Sequence, residues 1–238
     1  MKIGIMQPYF FPYIGYFSLI KHTDLFILFD TVQFIRHGWI ERNRILKPNT
    51  SWQYISVPLM SHSRETLIKD IIINNNIDWK NKIFRQLLHY KKYSLYYEDV
   101  IKLMEECLDT KTDSIVELNN SVVLGICKYL GITKEIHVFS RMNMNIEKAN
   151  APDEWALNIC KRIGNVKQYW NPIGGIDFFD REKYEKNGIS LFFQKINIFP
   201  YKQKLENSCF EPGLSIIDVM MFNSPEKIYE MLDDYELI

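Results

Sequence analysis

The sequence predicts an α/β fold with a mostly parallel sheet, and three observations carry that expectation. Short β-rich apolar runs alternate with stretches whose apolar residues recur at helical spacing. The opening reads strand, turn, helix, strand over about 30 residues, the size of a βαβ unit whose crossover is right-handed. A long helical stretch near residues 78–130 interrupts the alternation and reads as an insertion within a single domain, 1–238.

Each element has its own warrant. Residues 2–6 form a short apolar run ended by Gln7-Pro8, and residues 24–29 (DLFILF) form a second closed by Asp30; both read as buried strands. Between them, residues 14–22 place aromatic and aliphatic side chains at helical spacing, with Pro12 and Gly15 near the start. Residues 52–57, ended by Pro58, and residues 67–73 read as two further strands, followed by an Asn74-Asn75-Asn76 turn. Residues 79–97 form a basic, aromatic amphipathic helix. Residues 100–130 continue the helical pattern through Ile115, Leu118, Val122 and Ile126 to a stop at Gly131. A strand at 135–139, a helix at 152–163 with Pro152 in its first turn, and a short strand at 168–170 follow. Then come Gly174-Gly175, a short helix near 180–186, Gly188 and a strand at 189–195. Ser215 reads as the N-cap of a helix over 216–221, with Asp218 at its third position as in a capping box.

Composition narrows the function classes. A chain of 238 residues, 47% hydrophobic and 24% charged, buries a sizeable core. Lys plus Arg equals Asp plus Glu at 29 each, so no global field gathers nucleic acid or an anionic membrane, and an anionic ligand must be held locally. Cys107, Cys127, Cys160 and Cys209 are scattered without a C-x-x-C pair, which reads as buried free thiols. The N-terminus lacks the long apolar core of a signal peptide, and no apolar run reaches the roughly 18 residues of a membrane span. A cytoplasmic location is therefore expected. His22, His62, His89 and His137 show no paired ligand spacing, and no metal site is expected. The absence of G-x-S-x-G, Walker A and G-x-G-x-x-G sequences removes serine-hydrolase, P-loop and standard NAD-binding readings.

Two stretches concentrate polar chemistry. In the first, Gln7 to Phe17, polar-tipped aromatics (Tyr9, Tyr13, Tyr16) and two prolines crowd the end of the first strand, where ligands of open α/β sheets bind. The same residues can also serve as an aromatic turn that packs the sheet. In the second, Asp30 to Arg44, an acid, Gln33, His37, Trp39, Asn43 and three arginines (Arg36, Arg42, Arg44) fall within fifteen positions. Arginine forks suit phosphate or carboxylate, and Trp39 can stack on a sugar or base or plug the core. Later, Asn171 with Gly174 and Gly175 follows a short strand, so backbone N–H groups there can approach a phosphate or simply make a tight turn. Tyr201 and Gln203 fall where the chain can return to the pocket rim.

The slot Tyr13-Ile14-Gly15-Tyr16 is similar in placement to the His-x-Gly-His turn of nucleotidyltransferases and pantothenate synthetases, which implies a Rossmann-like, nucleotidyltransferase-like sheet. Tyrosine donates a hydrogen bond but carries no positive charge at neutral pH. More of the chain resembles the WbqC-like family of bacterial surface-polysaccharide gene clusters. The resemblance rests on Gln7-Pro8, Pro12-Tyr13, Gly15-Tyr16-Phe17, Asp30, Gln33-Phe34, Trp39 and Arg42-Asn43. It continues through Asn171-Pro172, Gly174-Gly175, Lys186 to Ile189, Tyr201, Gln203 and Leu214 to Asp218. Met6 departs from it, standing where many members have His.

The resemblance implies tailoring of a nucleotide-linked amino sugar in O-antigen or capsule biosynthesis, by acyl or aminoacyl transfer to the sugar amine. In that expectation His37 or Asp30 is the base. Arg36, Arg42 or Arg44 holds phosphate, and Tyr13, Tyr16 and Asn43 supply oriented donors. Gln7, Tyr9, Gln33, Trp39, Asn171, Gly174, Gly175, Tyr201 and Gln203 complete the substrate contacts. The co-substrate is an acyl thioester or a carboxylate activated with ATP. A non-catalytic nucleotide-sugar-binding protein is the alternative, with a nucleotidyltransferase behind it; homo-oligomerisation stays open.

Overall fold

A computed structural model describes residues 1–48, 51–203 and 210–238. Its sheet begins with β1 (Lys2–Met6), followed by α1 (Ile14–His22) and β2 (Leu25–Leu28), which pairs with β1 in parallel. β5 (Glu135–Val138) extends the sheet beyond β2, and β6 (Gln168–Pro172), β7 (Ser190–Ile196) and the antiparallel β8 (Tyr235–Leu237) extend it beyond β1. The order is β5-β2-β1-β6-β7-β8, with the first five strands parallel. The chain runs outward from β1 on one side and resumes at β6 on the other, so the switch of direction falls between β1 and β6. In open α/β sheets the carboxyl ends at such a switch frame the ligand crevice.

Period-two alternation distributes the core to both faces. Leu25, Ile27 and Phe29 join Ile3 and Ile5 against α5 (Glu154–Ile163), while Phe26 and Leu28 face α1 and the helices beyond it. Those helices are α2 (Trp79–Leu87), α3 (Tyr97–Leu108) and α4 (Ile115–Tyr129), all preceding β5 in the chain. α6 (Arg181–Glu185), α7 (Ile216–Phe222) and α8 (Pro225–Met231) complete the helices. Ser215 caps α7 as the sequence indicates, accepting from the Ile217 amide. Among the described residues, no helix is long and apolar enough to cross a membrane.

Several local expectations are corrected. Residues 67–73 are not a strand: Ile68–Asp70 form a 3-10 turn, with single bridges from Leu67 to Gln33 and from Ile73 to Leu59. Ile68 and Ile71 are buried three positions apart, which is turn spacing, and alternation is confined to Ile71, Ile72 and Ile73, where only Ile72 is exposed. The basic helix expected over 79–97 ends at Leu87 and tightens into a 3-10 turn, Leu88–Lys92. The pattern over 100–130 is two helices, parted by the polar run Asp109 to Asp113 and restarted by Ser114, whose hydroxyl accepts from the Glu117 amide. Residues 52–57 do form a strand, β4 (Trp52–Ser56), but it lies outside the main sheet in an antiparallel ribbon with β3 (Arg42–Leu46), within a stretch read from sequence as loop. Cys107, Cys127 and Cys160 are buried free thiols, their pKa values pushed up by burial to about 11, about 12 and about 12. Cys209 lies outside the described residues.

Candidate functional site

The two polar stretches lie against each other at the carboxyl edge of the sheet. The backbone N–H of Phe10 donates to the Trp39 carbonyl at 2.8 Å. Asn43 donates from Nδ2 to the carbonyls of Phe10 and Phe11 at 3.0 and 2.8 Å, and its Oδ1 accepts from the Arg44 amide. Asn119 of α4 donates to the carbonyls of Pro8 and Ile40, so one amide joins both stretches. Ser215 donates to the Phe11 carbonyl, its backbone N–H donates to the Arg44 carbonyl, and the Ile216 amide donates to Pro12. Phe11 needs this support, because it holds φ 41°, a left-handed conformation costly for a side chain of its size.

The first stretch is mostly scaffold. Tyr16 is fully buried, and its hydroxyl donates to the Gln7 carbonyl at 2.9 Å. A Cβ on Gly15 would sit 2.5 Å from the Tyr13 ring, so the absent side chain lets that ring fold back over α1. Tyr9 and Tyr13 stay half-buried; burial pushes both phenols up, Tyr13 to about 12, and both remain neutral donors at ordinary pH. At the switch point, the Met6 sulfur lies 3.9 Å from Asn171 Nδ2, which donates to the Tyr169 hydroxyl at 2.7 Å. Gly175 packs so closely on Asn171 that a Cβ would meet its Oδ1 at 2.4 Å, while Gly174 is exposed.

Asp30 is likewise committed. It is fully buried at the end of β2, and its two carboxylate oxygens accept from Ser140 N at 2.9 Å and Ser140 Oγ at 2.6 Å. This ties the end of β2 to the end of β5.

The second stretch differs in its charges. Among the described residues, Arg36, Arg42 and Arg44 form no salt bridge with a carboxylate. Arg36 is exposed and bonds His62, through Nη2 to its carbonyl at 3.1 Å. Arg42 donates to the His37 carbonyl and lies 4.0 Å over the Tyr54 ring. Arg44 donates to the Gly213 carbonyl at 3.1 Å and sits 5.5 Å from the Trp39 ring and 5.2 Å from Trp52. Nearby Glu41 forms no ion pair with them: Oε1 accepts from the His37 amide at 2.6 Å, Oε2 is buried without a partner, and burial pushes the carboxyl up against the lowering effect of the Arg42 charge. The Nε atoms of Arg42 and Arg44 are also buried without partners, each at a typical cost of about 1–3 kcal/mol. Trp39 is 39% exposed, so it is not a core plug. His37 carries an exposed ring on a residue at φ 63°, and Gln33 donates to the Arg64 carbonyl at 2.6 Å.

Tyr201 and Gln203 converge on a group read from sequence only as a helix-cap residue. Asp218 is fully buried and accepts from Tyr201 Oη at 2.5 Å, Gln203 Nε2 at 2.7 Å and Tyr90 Oη at 2.7 Å. Desolvation raises its pKa from 3.8 to about 6 against the lowering effect of these donors. Tyr90 Oη in turn accepts from the Leu46 amide at the end of β3, so Asp218 is tied to the arginine ribbon. The sequence reading missed Asp218, Tyr90, Trp52, Tyr54 and Asn119. The one local signal for the two ribbon aromatics was the alternation Trp52-x-Tyr54 facing Arg42-x-Arg44.

A broad cleft elsewhere on the chain does not coincide with these residues. It measures about 1130 Å³ between the start of α2 and the loop after α3, and none of the residues nominated from sequence lines it. Its walls carry five acids, Asp78, Glu105, Glu106, Asp109 and Asp113, against two lysines, Lys80 and Lys111, so its charge differs from the arginine ribbon's.

These features define an α/β protein with a mostly parallel sheet, whose motif residues gather at the carboxyl edge beside an arginine-rich ribbon. The chain belongs to the WbqC-like protein family, whose model matches residues 7–230. It is also similar to the uncharacterized protein Rv1507c of Mycobacterium tuberculosis, at 28% identity over 225 residues and 93% of each chain. No solved structure matches it.

Proposed function

We propose that this chain is a tailoring transferase acting on a nucleotide-linked amino sugar of O-antigen or capsule biosynthesis, within a Rossmann-like, nucleotidyltransferase-like frame. It moves an acyl or aminoacyl group onto the sugar amine and forms an amide. The observation that carries the reading is the set of three guanidiniums, Arg36, Arg42 and Arg44, that form no salt bridge with a carboxylate among the described residues, with Arg44 lying 5.5 Å from the ring of the partly exposed Trp39. Cations held in place without counter-charges suit a phosphorylated ligand, and an exposed indole suits its base or sugar.

Roles follow from what each group has left to give. His37 is the base that takes the proton from the attacking ammonium, because both Asp30 oxygens are occupied by Ser140. Tyr9 and Tyr13, neutral phenols at the rim, donate to the oxyanion of the tetrahedral intermediate. The acyl donor is a thioester or an ATP-activated carboxylate. Incubation with nucleoside-diphosphate amino sugars and a panel of both donor types, followed by mass spectrometry, tests the reading. A product heavier by the acyl group is expected, and its absence across the panel would remove catalysis from the account.

One observation favours a second reading, a binding protein that presents the nucleotide sugar to another enzyme. Met6 lies beside Asn171 at the switch point and leaves that position without a titratable group. Tight binding with no turnover would select it.

A further inference from the structure

We infer that the outer face of the β3–β4 ribbon is a diphosphate subsite, and that Trp52 and Tyr54 are its positioning residues. This rests on the nucleotide-sugar reading and assigns one part of that ligand to one surface.

Register places the four side chains together. Arg42 pairs with Ser56, Arg44 with Tyr54 and Leu46 with Trp52, and paired residues of an antiparallel ladder project to the same face. Asn43 and Ile45 therefore turn to the opposite face, where both are buried. On the ribbon face, each guanidinium is fixed in two ways. Arg42 stacks on Tyr54 and donates Nη2 to the His37 carbonyl, while Arg44 packs between Trp39 and Trp52 and donates Nη2 to Gly213.

What remains of each fork defines the ligand. The Nε atoms are buried, whereas neither Nη1 is among the buried unpartnered atoms and neither has a hydrogen-bond partner among the described residues. Each arginine thus keeps an Nη1 edge that has no partner among the described residues, already oriented. Side chains two positions apart on a strand emerge roughly 7 Å apart on the same face. Two fixed donor edges at that spacing suit two linked phosphoryl groups better than a single small anion. The aromatic rings supply what a flexible arginine lacks, since a guanidinium held by a ring and a carbonyl loses little freedom when it binds. Arg36, exposed beside His62, lies five residues before Glu41 in the same connection and adds charge at the rim.

Calorimetric titration of the intact chain with inorganic pyrophosphate, orthophosphate and a nucleoside diphosphate tests the assignment. The parent should bind pyrophosphate and the nucleoside diphosphate in competition, and orthophosphate much more weakly. Trp52→Leu and Tyr54→Leu should each weaken pyrophosphate binding about threefold to tenfold, with Trp52→Phe largely restoring it because a ring face is retained. Arg44→Lys keeps the charge and loses the fork, and should weaken pyrophosphate at least tenfold. If the leucine variants do not fold, the phenylalanine and lysine variants carry the test, and parent-like pyrophosphate affinity in Arg44→Lys overturns the subsite. If nucleoside diphosphate binds normally to every folded variant, the ribbon assignment fails while the nucleotide reading survives. If the parent binds neither pyrophosphate nor nucleoside diphosphate, both fail.

Discussion

The turn after β1 and the ribbon that packs on it use similar residue types for opposite ends. Around residues 7–16, polar groups are spent on the chain itself: Tyr16 bonds Gln7, and Asn43, Asn119 and Ser215 reach in to hold the carbonyls of Pro8, Phe10 and Phe11. Around residues 36–44 the guanidiniums hold only carbonyls, a histidine and rings, and no carboxylate forms an ion pair with them among the described residues. Buried polar groups must be paired, so the first region, apart from the rim phenols of Tyr9 and Tyr13, is complete as it stands. The second carries uncompensated charge, which costs stability unless a ligand brings the counter-charge. A family motif therefore mixes two kinds of residue, and hydrogen-bond bookkeeping separates them.

The comparison breaks most visibly at Asn43. Asn43→Ala removes a side chain that donates to two carbonyls and accepts from the Arg44 amide, so stability should fall by roughly 3–5 kcal/mol in chemical denaturation. A loss under about 1 kcal/mol would show that the turn does not depend on it.

Asp218 tests the link between the regions through pH. Its folded pKa, raised by desolvation from 3.8 to about 6, means the folded chain holds this proton more tightly than the unfolded one. The associated stability is fully present below about pH 3.8 and is lost as pH rises through about 6, a change of about 3 kcal/mol at most. Asp218→Asn should abolish that part of the slope between pH 4 and 6, read from denaturation midpoints. An unchanged slope would mean that Asp218 ionises as freely as in the unfolded chain.

Gly15→Ala should cost about 1–3 kcal/mol, because the new methyl would displace the Tyr13 ring over which the turn closes. A parent-like melting temperature would show that the ring moves freely. The smallest stability effect is expected at Arg36→Ala: exposed and without an ion pair, it should change stability by less than about 0.5 kcal/mol while reducing the salt dependence of nucleotide-sugar binding.

Much of the sheet was legible because the patterning is local. The apolar runs at β1 and β2, the helical spacing of α1 and the Ser215 cap each reside in a few consecutive residues. β3 was not, since Arg42-Asn43-Arg44 has no β-rich apolar signature and becomes a strand only by pairing with residues 52–56. The run at 67–73 misled for the converse reason: its β-branched composition suggests a strand, but the Lys69 amide bonds Asp30 and the Ile68 amide bonds Val32, and a turn results. At the candidate site, the arginines and Trp39 were visible as residue types. The partners that give them meaning were not, because Asn119 lies 111 positions from Pro8 and Tyr90 lies 128 positions from Asp218.

The central claim is that the guanidiniums and Trp39 of residues 36–44 are reserved for a ligand while residues 7–16, apart from the rim phenols of Tyr9 and Tyr13, serve the fold, and Trp39 tests it most directly. Trp39→Ala should be studied by calorimetric melting together with titration of a nucleoside-diphosphate amino sugar. At 39% exposure the ring lies outside the buried core, so the melt should stay cooperative and near the parent's while most of the affinity disappears. A large drop in melting temperature, with the remaining folded protein binding normally, would place Trp39 with the scaffold and contradict the division.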